Sequence, residues 1–384
     1  MDLFGLRFSW IELIMFVLLF FAFIHQFYFY ARYLSGILRQ NQRAKKNKIS
    51  SNEAKPPVSI IIAAKNEENN LLRFLPQILE QNYPEFEVIV IDDASTDNTA
   101  VVFEQFKAKY SNLRTTFIPQ GTKNLSSKKL AITLGVKAAK YDILLFTDAD
   151  CYPESNEWIA QMVQGFKPET EFVLGYGAYL KKDGFLNRLI TYDTLFIAMQ
   201  YMGMAVAQKP YMGVGRNMAY RKETFFNLKG FSSNLNILSG DDDLLVNKGC
   251  TKKNTNIEIS KKSITWSEPE TKFKNWYYQK VRHISSSAKY KKMTKIRLIF
   301  EPVTRGLFYL SFIATTILGN TITLYAAAIL FLLRLILQMT VINKTSSLYD
   351  KRSYFLTLPI LDIFLPLVNL FIATFENKTK INWK

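Results

Sequence analysis

The sequence predicts an α/β domain on a parallel sheet, carried between apolar helices at both ends of the chain. Three observations predict it. Short apolar runs alternate with helical periodicity between Val58 and Phe146, the pattern that builds parallel strands with covering helices. The run "IELIMFVLLFFAFIHQFYFY", Ile11 to Tyr30, has the length to cross a hydrocarbon core of roughly 30 Å. A longer apolar stretch, Val303 to Ile342, exceeds what one crossing needs.

Composition narrows the classes. A chain of 384 residues with 48% apolar and 14% aromatic content is not disordered. Its formal charge of +17 comes from lysines beside apolar segments rather than from a compact basic motif, which points to membrane lipids and away from nucleic acid. Two cysteines, Cys151 and Cys250, and two histidines, His25 and His283, supply neither a disulfide framework nor a zinc ligand set. Any metal must then be hard and bound through oxygen.

The elements follow in order. Residues 1–32 read as a retained transmembrane anchor, because a basic start and a small-residue cleavage site are missing. Arg32, Arg39, Arg43, Lys45, Lys46 and Lys48 follow the span, against Arg7 before it. The positive-inside rule therefore places the following domain in the cytoplasm, and the expected location is the inner membrane, multi-pass. Residues 33–56 read as a basic linker. From residue 57, "VSIIIAAKN" is a strand, "EENNLLRFLPQILEQ" a helix, "FEVIVIDDAS" a second strand, and Asn98 to Tyr110 a second helix. A third strand-like piece, "NLRTTFIP", precedes the basic "SSKKLAITLGVKAAK", and "DILLFTDAD" opens on the fourth strand. Open parallel sheets bind ligands beyond the carboxyl ends of their strands, where Asp92, Asp93, Asp148 and Asp150 fall.

Carboxylates one residue apart repel each other unless a cation lies between them. A nucleotide diphosphate at such acids calls for a bridging Mg²⁺ or Mn²⁺, which prefer oxygen ligands. Lys128 would add charge compensation for the phosphates. The fragments "GYG" at Gly175 and "GVG" at Gly213 lack the third glycine and the strand-to-helix setting of a dinucleotide site. Further on, "SGDDDLLVNKG" places Asp241, Asp242 and Asp243 at a helix start. The helix macrodipole accounts for part of this, yet an acceptor hydroxyl needs a positioned carboxylate base, and one of the three can serve. "WYYQKVRHISS" sets Gln279 and Arg282 on one helix face, in a stretch an interfacial amphipathic helix would also explain.

"VSIIIAAKNEE", "VIVIDDASTDNT", "LLFTDADC", "GDDDLLVNK" and "QKVRH" occur in the order found in membrane-bound family 2 glycosyltransferases. The chain resembles these proteins, of which cellulose and hyaluronan synthases are the best known, from about Pro57 to Tyr290. The resemblance implies a GT-A fold, a Rossmann-like mixed sheet over residues 57–275, with N- and C-terminal transmembrane helices. It implies inverting transfer from a nucleotide-sugar donor, UDP-linked, to a lipid-linked or glycan acceptor. Carried over by position, Asp92 and Asp93 resemble the nucleotide-binding acids, Lys128 the phosphate-side lysine, and Asp148 with Asp150 the metal-binding pair. Asp241 stands where the family has the glutamate of its Glu-Asp motif, and Asp242 where it has the catalytic base. Gln279, Arg282 and His283 occupy the Gln-x-x-Arg-Trp motif. His283 replaces the tryptophan that helps hold the acceptor in processive members, so the expectation shifts to addition of one or a few sugars. A processive polysaccharide synthase and a non-catalytic membrane scaffold are the alternatives.

The end of the chain returns to apolar sequence. Interfacial helices are expected over 276–300, a membrane region of two or three helices over 301–375, and a tail over 376–384. Two of the helices should turn at Gly319 and Asn320. In the third candidate, "SYFLTLPILDIFLPLVNLFIATF", Asp362 lies between Pro359 and Pro366, which leaves spanning, re-entry and an interfacial position open. Arg334 is expected to snorkel to the cytoplasmic surface.

Overall fold

The computed structural model describes residues 2–3, 6–7, 9–46, 55–119, 127–235, 237, 239–349 and 352–375. A two-residue antiparallel pair, β1 (Asp2–Leu3) with β2 (Leu6–Arg7), precedes α1 (Trp10–Phe29). The side chain of Ser9 caps α1 by accepting the N–H of Glu12 at 3.1 Å. A π-turn, Tyr30–Leu34, leads directly into α2 (Gly36–Lys46), so residues 33–46 are helical where a linker was expected. The reason is packing: Tyr33, Leu34 and Ile37 continue the buried stripe of α1. Residues 47–54 of that linker lie outside the described residues.

The α/β unit runs β3 (Val58–Ala64), α3 (Glu68–Leu79), β4 (Phe86–Asp92), α4 (Thr99–Lys109), β5 (Leu113–Phe117), α5 (Ser127–Ala138) and β6 (Ile143–Phe146). Strands β6, β3, β4 and β5 are parallel neighbours in that order. Their residues are buried on both faces: Ile60, Ile62, Val88 and Val90 pack on one side with Leu71, Leu75 and Val102. On the other side Ile61, Ile89 and Ile91 meet Ala131 and Val136 of α5. Covered faces explain why these strands read as continuous apolar runs.

The chain continues through β7 (Cys151–Pro153), α6 (Trp158–Val163), β8 (Phe172–Leu174), β9 (Gly177–Tyr179), α7 (Phe185–Val206), β10 (Met218–Arg221), α8 (Lys222–Asn227), α9 (Asp243–Gly249), β11 (Thr255–Ile257) and β12 (Thr265–Ser267). The main sheet has the order β11-β8-β10-β6-β3-β4-β5. Because β10 is antiparallel to both β6 and β8, the sheet is mixed, as the resemblance implies, rather than purely parallel, as the strand–helix alternation suggests. A second sheet, β7-β12-β9, starts where the chain leaves β6.

Four helices follow: α10 (Phe273–Ser287), α11 (Lys292–Leu318), α12 (Thr321–Leu348) and α13 (Leu358–Phe375). The break at Gly319 and Asn320 separates α11 from α12, and the Asn320 side chain caps α12 by accepting the N–H groups of Ile322 and Thr323 at 2.9 and 3.0 Å. Two helical spans, Trp10–Lys46 and Thr321–Leu348, are long and apolar enough to cross a membrane, each with mean hydropathy 2.0. Close approach fixes the first of these to the α/β unit. A Cβ added to Gly203 of α7 would stand 1.9 Å from the carbonyl oxygen of Tyr33, and one added to Gly36 would stand 2.5 Å from Cα of Gly203.

Arg334 does not snorkel. It is 3% exposed, and its guanidinium meets Asp362 of α13 at 2.8 Å and the Gln26 side chain of α1 at 3.2 Å. Asp362 also pairs with Arg305 of α11 at 3.2 Å and accepts from Tyr309 at 2.6 Å and Gln338 at 2.9 Å. Arg305 in turn donates to Glu301, one turn back, at 2.9 Å. A buried arginine with a carboxylate partner is stable where an unpartnered one must reach for water.

Candidate active site

A single cavity of about 1710 Å³ opens below the carboxyl ends of β3 and β6. Its walls bring together Lys128, Asp148, Asp150, Asp241, Asp242, Gln279, Arg282 and His283, all singled out from sequence. Asp92 and Asp93 do not line it. Asp92 ends β4, opposite Ala64 in the neighbouring strand, and Asp93 follows it. Since β3 stands between β4 and β6, the two acid pairs are held about 10 Å apart, two strand spacings. The rim is shared, but the acids form two groups. Asp92 accepts the N–H of Ser95 at 2.9 Å, shaping the turn after β4, and Asp93 lies 3.9 Å from Lys65.

At the end of β6 the chain turns sharply into β7, placing Asp148 and Asp150 at the cavity wall. Lys128, from α5, reaches Asp148 at 2.9 Å and Asp241 at 3.3 Å. Burial raises the pKa of Asp148, but Lys128 overrides it and holds the carboxyl below its ordinary range. Asp150 has the opposite balance. Burial and the Asp148 charge push it up, with the Ser267 hydroxyl donating to it at 3.1 Å. Oxygens of Asp148 and Asp150 and the sulfur of Cys151 lie within 4.8 Å of one another. Burial, followed by Asp150 and Asp148, keeps Cys151 a thiol, so the carboxylates are the donors available to a cation. Two enclosed carboxylates, one of them short of counter-charge, suit a hard divalent ion.

Asp242 caps α9, one oxygen accepting the N–H of Asp243 at 2.7 Å and the other that of Gly215 at 2.7 Å. Burial, then the charges of Asp241 and Asp243, push its pKa up to about 7, so near neutrality it holds the poise of a general base. Asp243 points away from this role. It accepts from Tyr290 at 2.6 Å and from Ser286, tying α9 to the end of α10. Position at a helix start left the three acids equivalent, and only the resemblance singled out Asp242; in the structure their hydrogen bonds differ.

Gln279 donates to the Tyr179 hydroxyl at 3.0 Å. Its neighbour on the helix face, Arg282, is close enough to Asp148 to help lower that carboxyl's pKa. The His283 ring is open to the cavity, yet the enclosing walls, then the cations Arg282, Arg216, Lys280 and Lys128, lower its pKa. It is therefore a neutral imidazole at pH 7. Sequence reading missed Arg216. Its guanidinium lies 4.2 Å over the Tyr179 ring, and its charge acts on both Asp148 and Asp150. The only signal was an arginine directly after "GVG", which carries no spacing rule of its own.

Comparison with known proteins agrees with the geometry. Residues 59–227 match the profile of "Glycosyl transferase family 2". The chain is 26% identical over 341 residues to a probable glycosyltransferase, YdaM, of Bacillus subtilis, covering 78% of this chain and 77% of that one. It is 29% identical over 142 residues to poly-beta-1,6-N-acetyl-D-glucosamine synthase of Staphylococcus epidermidis, covering 35% of this chain and 32% of the synthase. Among solved structures, a mannosyltransferase from Pyrobaculum calidifontis in complex with GDP-Man and Mn²⁺ superposes with a TM-score of 0.55 at 18% identity, covering 94% of this chain and all of that one. The mixed sheet is thus a GT-A-like fold.

Proposed function

This chain carries a glycosyl transferase family 2 domain, and from that premise we propose a membrane-anchored inverting transferase that moves a sugar from a nucleotide-sugar to a hydroxyl acceptor at the cytoplasmic face. The observation that carries the reading is Asp242. A carboxylate with a pKa near neutrality shares one cavity with Asp148 and Asp150 and with Arg282, so a base and a diphosphate site face the same space.

The donor diphosphate is read at Asp148, Asp150, Arg282 and Arg216, with Asp92 and Asp93 toward the nucleoside. Asp148 and Asp150 would hold Mg²⁺ or Mn²⁺, which when bound neutralises charge on the leaving diphosphate. Arg282 and Arg216 offer planar donors to phosphate oxygens. Gln279 and Tyr179, hydrogen-bonded to each other, form the wall beside the donor sugar. Asp242 takes the proton of the acceptor hydroxyl as its oxygen attacks the anomeric carbon, and a single in-line displacement inverts that centre. The donor is proposed as a UDP-sugar; GDP-mannose stays in the test because the superposed mannosyltransferase was solved with it.

His283 replaces an indole with a smaller ring, a reduced stacking surface for an acceptor sugar. We therefore assign transfer of one or a few sugars rather than polymerisation. Anchoring through α1, α12 and the helices packed with them completes the proposal, with basic residues after α1 on the cytoplasmic side. The test is incubation of purified protein with UDP- and GDP-sugars, Mn²⁺ and membrane extract, followed by mass analysis. A sugar-extended lipid or glycan is expected. A long polymer would overturn the non-processive assignment, and no turnover with any donor would overturn the transferase reading.

A further inference from the structure

The cavity does not end at the acids. The same walls continue past α10 between α11 and α13, where Leu298, Val303, Leu310, Ile363, Leu367 and Leu370 line it. From Leu298 to Leu310 this groove follows α11 for about 18 Å at 1.5 Å per residue, close to one leaflet of a hydrocarbon core of roughly 30 Å. Val303, Leu310, Leu367 and Leu370 are more than half exposed there, so an apolar surface leads laterally out of the site.

The charges in this half of the cavity exclude one class of head group. Its basic residues are Lys280 and Arg305, and both are spent internally. Lys280 meets both oxygens of Asp193 at 3.0 and 2.8 Å; Arg305 is shared by Glu301 and Asp362. Among the described cations that line the cavity, Arg216 and Arg282 form no ion pair with a carboxylate, and both stand at the donor end, where their charges act on Asp148. A lipid phosphate in the groove would lie among apolar and already neutralised groups, and one advanced to Asp242 would face three consecutive carboxylates, with Arg216 and Arg282 taken up by the donor diphosphate. A phosphate acceptor would also need no base, because its oxygen is already deprotonated.

We propose that the acceptor is a lipid with an uncharged hydroxyl head, its hydrocarbon chain lying between α11 and α13 and its hydroxyl directed to Asp242. The inference rests on the transferase reading. In the step, the hydroxyl oxygen bonds to the anomeric carbon and its proton passes to the Asp242 carboxylate. The bond from that carbon to the diphosphate breaks, and the electron pair leaves with the nucleoside diphosphate.

The test uses the full chain in detergent, photolabelled with a hexadecanol analogue bearing a diazirine near its tail end, with labelled peptides mapped by mass spectrometry. Labelling should fall on α11 and α13 and be displaced by hexadecanol but not by hexadecyl phosphate. Equal displacement by the phosphate, or label concentrated on α1 and α12, overturns the proposal. Gly306, on the groove wall with no atom within 4 Å of an added Cβ, supplies a second arm. Gly306→Trp should raise KM for the alcohol acceptor about tenfold more than it lowers kcat, the signature of lost ground-state binding; an unchanged acceptor KM counts against the groove. Binding of UDP and GDP with Mn²⁺ is measured separately on the wild type. Its absence would remove the transferase reading, and the acceptor role with it, even where the lipid label maps to the groove.

Discussion

The three consecutive acids show what a residue's neighbours add to its type. Asp241 is engaged by Lys128 and Asp243 by Tyr290 and Ser286, while the Asp242 carboxylate, on the wall of the same cavity, is oriented by backbone N–H groups alone. Asp242→Asn should leave donor KM near the wild-type value and lower kcat by about 10²–10⁴-fold, the usual weight of general-base help; equal losses in both constants would make it a donor-site residue. The pH profile carries a second expectation. Because the Asp242 pKa is raised to about 7, the carboxyl is protonated below that pH and cannot accept the hydroxyl proton. The kcat/KM of the free enzyme should therefore fall about tenfold per pH unit on the acid side of neutrality, and a flat profile between pH 5 and 8 would exclude this base. Asp150→Asn should abolish transfer in a protein that still folds, and EDTA should do the same to the wild type; full activity in EDTA would exclude the metal. At this scale Asp92, Asp93, Asp148 and Asp150 were legible because they follow apolar runs, and Asp241 to Asp243 because three acids in a row exceed what a helix start needs. Arg216 was not, because its partners come from elsewhere in the chain, Tyr179 from the end of β9 and the two acids from the turn between β6 and β7.

Elements were legible where they are long and periodic. The alternation from β3 to β6 gave the parallel core, whereas β8, β9, β10 and β12, three or four residues each, are too short to carry a period. The four residues of β10 carry no signal of direction, so the antiparallel strand that makes the sheet mixed could enter only through resemblance. The helical continuation of α1 into α2 was hidden by its charges: Arg39, Arg43, Lys45 and Lys46 read as a linker, while Tyr33, Leu34 and Ile37 on the other face set the structure. That junction is held by glycine contact. Gly203→Val places methyl groups against the Tyr33 carbonyl and should cost at least about 1–3 kcal/mol, the range for overpacking a close contact. A melting temperature within a degree of wild type would show that α2 and α7 separate freely.

Across the whole molecule, the polar groups buried among the terminal helices matter as much as the apolar ones. Arg334 and Asp362 are 28 residues apart on different helices, beyond any local spacing rule, which is why sequence sent Arg334 to the surface. Asp362→Leu would leave Arg305 and Arg334 short of a carboxylate and should destabilise the folded protein by about 3–5 kcal/mol, the range for breaking a buried pair. Adding Arg334→Met should recover part of the loss; no recovery would show that the arginine finds another partner. The same network has a consequence for synthesis. In the proposed bilayer setting Arg334 leaves the ribosome with α12, before the aspartate that neutralises it, and an arginine at the centre of a lone span costs about 2.5–3.5 kcal/mol to insert. The helices therefore cannot be released into lipid one at a time at low cost. In that setting the penalty on α12 lasts until α13 is made, and the Asp362 carboxylate removes it, so the order of synthesis puts the charge before its counter-charge.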